Sequence, residues 1–120
     1  MLTMNHDLEG ALKAYLALLD KEAYFEAHEV LEHAWYPLRL ASHPLSNLVK
    51  GLINGAVAFE HIKRNKKNMP AKAQKVIASY ERYKGLITPQ IEHVELFLQA
   101  SEKIEALKKR HKEVFDVLVS

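Results

Sequence analysis

Residues 44–64 read Pro-Leu-Ser-Asn-Leu-Val-Lys-Gly-Leu-Ile-Asn-Gly-Ala-Val-Ala-Phe-Glu-His-Ile-Lys-Arg. Leu45, Leu48, Val49, Leu52, Ile53, Ala56, Val57 and Phe59 cover much of the circumference of a helix. A helix that is apolar nearly all round is one surrounded by others, so this segment is expected to be the most buried helix of an all-α fold. Pro44 suits its first turn, with Ser42 or His43 as the cap. Gly51 and Gly55 stand four apart inside it, each about 1 kcal/mol worse than alanine. A groove that lets a neighbouring helix approach closely is the packing reason expected for them.

Outward from this segment the pattern stays helical. No stretch alternates strictly, and no Asn-Gly or Asp-Gly hairpin signal occurs. Upstream, Leu8, Leu12, Tyr15, Leu16 and Leu19 define one face of a helix over residues 7–19. A second helix is expected over 24–36, ending before Pro37 because the residue before proline avoids the α region. Downstream, a helix over 70–84 is expected to stop at Gly85 in the usual C-terminal position. Thr88-Pro89 reads as the start of a fifth helix. Its apolar pattern runs on through Ile104, Leu107, Val114, Phe115 and Leu118, as one long helix or two with a bend near Ser101. The expectation is one domain over 1–120, a bundle of about five helices with a core at 5–98 and an extended C-terminal helical segment at 101–118.

The composition fits a soluble globular domain, 48% hydrophobic and 27% charged. No apolar run is long enough for a membrane span, and Met1 to Gly10 does not read as a signal peptide. Cysteine is absent, which excludes disulfides, thiolate chemistry, iron–sulfur clusters and cysteine-based zinc sites. A cytoplasmic location is the default reading. Residues 1–60 carry 4 basic and 8 acidic side chains, net −4, whereas residues 61–120 carry 13 and 7, net +6. The densest basic stretch holds Lys63, Arg64, Lys66, Lys67, Lys72 and Lys75. No aromatic residue interleaves these charges and no nucleic-acid motif is present, so a solvated helix end and loop is favoured over nucleic-acid binding.

Chemistry concentrates in Tyr24-Phe25-Glu26-Ala27-His28-Glu29-Val30-Leu31-Glu32-His33-Ala34-Trp35-Tyr36. His28 and Glu32, four apart, share a helix face beside Phe25, Leu31 and Trp35. Pointed toward a core, they need a partner, a hydrogen bond or a metal. The set expected between helices two and three is His28, Glu29, Glu32, Trp35, Asn54 and His61. Two uses stay open. A divalent transition metal would take His28, Glu32 and His61 as ligands, or the same groups would move protons. Alternatively the cluster is a buried hydrogen-bond network that fixes helix register, in a non-enzymatic module whose C-terminal helix associates with a partner or a second copy. His-Glu-x-x-Glu lacks the second imidazole of the zinc-protease motif, and no ferritin-like Glu-x-x-His pair is present. Ser42, Ser46, Ser79 and Ser101 read as caps or surface positions.

The stretch from Tyr24 to Glu32, with Trp35, Lys50-Gly51-Leu52-Ile53-Asn54-Gly55-Ala56, His61 and Asn65, resembles the DUF309 family. That family's pattern is a Phe/Tyr-Glu-x-His-Glu-x-x-Glu helix ending in Trp, a Gly-Leu-Ile-Gln helix, then a His and a Gly-Asn turn. The resemblance implies a small all-α bundle and no assigned activity. Here Asn54 stands where glutamine is common, Lys66 follows Asn65 in place of the Gly-Asn turn, and the tail after residue 100 is longer.

Overall fold

The computed structural model describes residues 7–65 and 67–115. Helices α1 (Leu8–Asp20), α2 (Tyr24–Leu40), α3 (Ser46–Arg64) and α4 (Met69–Tyr83) follow one another, each packed on the next. A 3-10 turn (Lys84–Leu86) leads to α5 (Val94–Arg110), which returns against α1 and α3. A last short helix, α6 (Lys112–Phe115), folds back onto α4. Helix α3 touches α2, α4 and α5, and buries nine residues from Leu48 to Phe59, as the apolar pattern of 44–64 leads one to expect. Among the described residues no helix is long and apolar enough to cross a membrane.

The two glycines of α3 serve different neighbours. A Cβ on Gly51 would meet the backbone of α4, at 3.1 Å from the Tyr80 Cα and 3.2 Å from the Ser79 carbonyl oxygen. A Cβ on Gly55 would meet the Ile104 Cδ1 of α5 at 3.0 Å. Close to them, Tyr15 of α1 is fully buried and donates its hydroxyl to the Leu52 carbonyl at 2.7 Å.

Several boundaries depart from expectation. Helix α2 runs through Pro37 to Leu40. Proline in a last turn removes a single amide donor, and the carbonyl that loses its partner belongs to exposed His33. The helix is closed instead by Ser42, left-handed at φ 52°, with His43 N–H donating to the Leu38 carbonyl and Ser42 N–H to that of Arg39. Glu22 does the same after α1, where Ala23 donates to Leu18 and Glu22 to Leu19. His43 then uses its Nδ1 to accept from Leu45 N–H at 3.0 Å, so α3 starts at Ser46 and Pro44 lies in the turn before it. Gly85 is not left-handed; it sits inside the 3-10 turn. Thr88-Pro89 opens a turn, and α5 begins only at Val94 after left-handed His93. The C-terminal break falls at His111, not Ser101.

The tail spends its apolar stripe on its own chain. Ile104, Leu107 and Val114 are buried, and Phe59 of α3 meets the His111 ring at 6.2 Å and Phe115 at 5.7 Å. Gln74 of α4 donates to the Val114 carbonyl. Leu118 lies outside the described residues.

Candidate functional site

The core stripe of α2 is Tyr24, Ala27, Leu31 and Ala34. His28 and Glu32 each follow a stripe residue, so the helical turn of about 100° per residue carries them off the core and onto the edge facing solvent. No polar or charged residue among those described is buried. The expected core-facing cluster is therefore replaced by a surface pair. His28 Nε2 lies 3.2 Å from Glu32 Oε1, with side chains 22% and 45% exposed. The Phe25 ring meets the His28 ring edge-on at 5.5 Å.

One turn further along the same edge, the ring of half-buried Trp35 carries two cations. Lys50 Nζ reaches across from α3 to 4.4 Å from the ring centroid, and Arg39 approaches to 5.6 Å. Each such contact contributes roughly 0.5–1 kcal/mol at a partly exposed site. This stack is the part of the expected set that joins α2 to α3.

The rest of the set disperses. Asn54 turns to α4, donating from Nδ2 to the Ser79 Oγ at 2.8 Å. His61 is half-buried in the last turn of α3. Among the described residues no three His, Cys, Asp or Glu side chains form a group able to hold a metal, so His28, Glu32 and His61 do not converge. Glu29 lies on the opposite flank of α2. There it lines an open groove of about 870 Å³ between α1 and α2, together with Asp7, Glu26, His33 and Tyr36. This groove lies on the α1 side of α2, not on the α3 side. Part of the basic stretch is also committed: Lys63 donates to the Glu22 carbonyl at 2.8 Å, and Arg64 pairs with Glu60.

The sequence profile of the family described as "Domain of unknown function (DUF309)" matches residues 12–72. The chain belongs to the DUF309 family. Comparison with curated proteins and with solved structures gives no match. The DUF309 match holds the whole edge of α2, the Trp35–Lys50 stack and both glycines of α3, and ends at the start of α4.

Beyond the DUF309 match lies the densest ionisable cluster among the described residues, which sequence reasoning missed. Tyr80 donates to Glu105 Oε2 at 2.6 Å, so Ser101 donates to the Tyr80 oxygen at 2.9 Å. Lys84 bridges Glu81 (2.7 Å) and Glu105 (3.2 Å), and Lys108 bridges the same two carboxylates. Glu81–Lys84 and Glu105–Lys108 are ordinary i,i+3 pairs in sequence; only the packing of α5 beside α4 closes them into a ring. Ser79 and Ser101, read as caps or surface positions, are both hydrogen-bonded between helices.

Burial pushes the Glu81 carboxyl up, but the hydrogen bonds from Lys108 and Lys84 outweigh it and hold it below the ordinary 4.5. Burial likewise raises Glu105, and the Tyr80 hydroxyl with the Lys108 and Lys84 charges brings it below that value. The hydrogen bond to Glu81 raises Lys84, and burial followed by the Glu105 hydrogen bond raises Tyr80. The folded protein therefore binds fewer protons at these carboxylates than the unfolded chain does. Their stabilisation is complete above the usual carboxylate range and is lost as pH falls through the depressed folded values. Urea midpoints between about pH 6 and pH 3 are expected to fall more steeply for the parent than for Glu105→Gln. The difference should be roughly 1 kcal/mol, because the pairs are only part-buried. Parallel pH profiles would contradict the assignment.

Proposed function

We propose that this DUF309 domain is a non-enzymatic interaction module that engages a partner through the flanks of α2. The observation that supports this reading is that the polar motif residues of α2 lie off the core on two flanks, His28 and Glu32 part-exposed on one and Glu29 exposed on the other. His28–Glu32 and the Trp35 stack then act as a recognition edge: an ion pair, an aromatic face and two cations within four helical turns. Association of two copies through the tail, another form of the same reading, would have to use surface other than Ile104, Leu107 and Val114.

The competing reading is a ligand or metal pocket using His28, Glu32 and His61. One observation favours it: His28 and Glu32 already sit within 3.2 Å of each other, so two donors are close. Thermal unfolding with and without zinc or manganese separates the two readings. A site filled at 100 times its dissociation constant stabilises by about 2.7 kcal/mol. The expected result is no rise in melting temperature that depends on His28. A rise present in the parent and absent in His28→Ala would overturn the module reading.

A further inference from the structure

We propose that the groove between α1 and α2 docks an amphipathic helix whose polar face is rich in lysine and arginine, supplied by a partner protein. This rests on the interaction-module reading and names the surface and the occupant. The groove runs between two helices joined by the short turn at residues 21–23, and its floor is apolar: Ala11, Leu18, Val30, Ala34 and Pro37. Its ionisable walls are Asp7, Glu26, Glu29 and His33, with no lysine or arginine. Glu26 and Glu29 are exposed, and neither makes an ion pair among the described residues. Residues 1–60, which supply both walls, carry a net charge of −4. Asp7 is engaged as the N-cap of α1, accepting from Gly10 N–H at 3.0 Å, which leaves Glu26 and Glu29 as the carboxylates without a partner among the described residues. An apolar floor beside these two carboxylates complements a helix with an apolar stripe and cationic flanks.

The walls also select a helix over an extended peptide. Both walls are helices whose backbone groups are bonded internally, so there is no edge for strand addition. Gly10, Ala11 and Ala34 keep the groove low enough for another backbone to come near, and a third helix laid between two neighbours repeats ordinary bundle packing. Tyr36, 54% exposed, offers an aromatic contact at the rim. Among the described residues the two C-terminal helices pack elsewhere, α5 on α1 and α3, and α6 on α4.

The test is an amide NMR titration of the full chain with two synthetic helical peptides of identical leucine pattern. One carries lysine and the other glutamate at the polar positions. The lysine peptide is expected to shift Gly10, Ala11, Val30 and Ala34, and the glutamate peptide to bind at least ten-fold more weakly. The Glu26→Lys/Glu29→Lys variant should weaken the lysine peptide at least ten-fold while its own spectrum stays folded. Replacing the peptide's leucines by serine should abolish the groove shifts. Equal binding of both peptides, an unaffected charge-reversal variant, retained affinity without the leucines or no binding at all would overturn the proposal. Shifts at His28, Trp35 and Lys50 instead would overturn the groove and leave the module reading in place. His28-dependent metal stabilisation, from the preceding experiment, would remove the module reading itself.

Discussion

Phe59→Ala is expected to destabilise the protein by about 3–5 kcal/mol, lowering its melting temperature by roughly 10–25 °C. Phe59 is 1% exposed and belongs to α3, yet its ring meets Tyr24 of α2 at 5.8 Å and the His111 and Phe115 rings of the tail. Two other elements, α2 and the tail, converge on this side chain of α3, so no single element can collapse into the cavity left behind. The tail should loosen first, read as faster hydrogen exchange at Val114 and Phe115. Leu40→Ala, at a position 66% exposed, is the control and should change stability by less than about 0.5 kcal/mol. A Phe59→Ala variant that keeps both its melting temperature and its tail protection would show that α6 does not dock as described. Truncation after residue 100 is, for the same reason, a poor test of association. It would strip buried Ile104, Leu107 and Val114 from the core and is expected to unfold the chain rather than change its oligomeric state.

Gly51→Ala is expected to destabilise by about 1–3 kcal/mol, even though alanine is intrinsically about 1 kcal/mol better in a helix. The new methyl would press on main-chain atoms of α4, and the whole of α4 must move to relieve it. At Gly55 the obstruction is the terminal methyl of Ile104, which can turn aside. Gly55→Ala is therefore expected to fall within about 1 kcal/mol of the parent, propensity gain and crowding largely offsetting. Urea denaturation of the two variants reads the contrast directly. Equal costs at the two positions, or a larger cost at Gly55, would contradict the assignment of Gly51 to the α3–α4 contact.

What could be read from the sequence divides along physical lines. The central place of α3 was legible because burial on most of a helix's surface leaves apolar residues on every turn from Leu45 to Phe59. That its glycines admit close neighbours was legible too; that Gly51 meets α4 and Gly55 meets α5 was not, since spacing says nothing about which helix arrives. The turns after α1 and α2 were hidden because Glu22 and Ser42 take left-handed conformations that glycine ordinarily supplies. Gly85 is the converse, a glycine stop signal without the left-handed backbone.

At the site, the His28–Glu32 pairing followed from i,i+4 spacing. Its burial did not, because one residue of offset from Ala27 and Leu31 rotates both side chains off the core. Lys50 on Trp35, Ser79 on Asn54 and the Tyr80–Glu105 ring are contacts between helices, set by packing rather than by any local pattern. The same holds for the groove, whose lining splits the motif by sending Glu29 away from His28.

Under the proposed reading, the motif of α2 is a recognition edge rather than a metal centre. The most direct measurement is elemental analysis of untagged protein beside its His28→Ala variant. Far less than one equivalent of any transition metal is expected in both, with the variant folded and within about 1 kcal/mol of the parent, as befits a part-exposed i,i+4 pair. About one equivalent in the parent and none in a still-folded variant would contradict it.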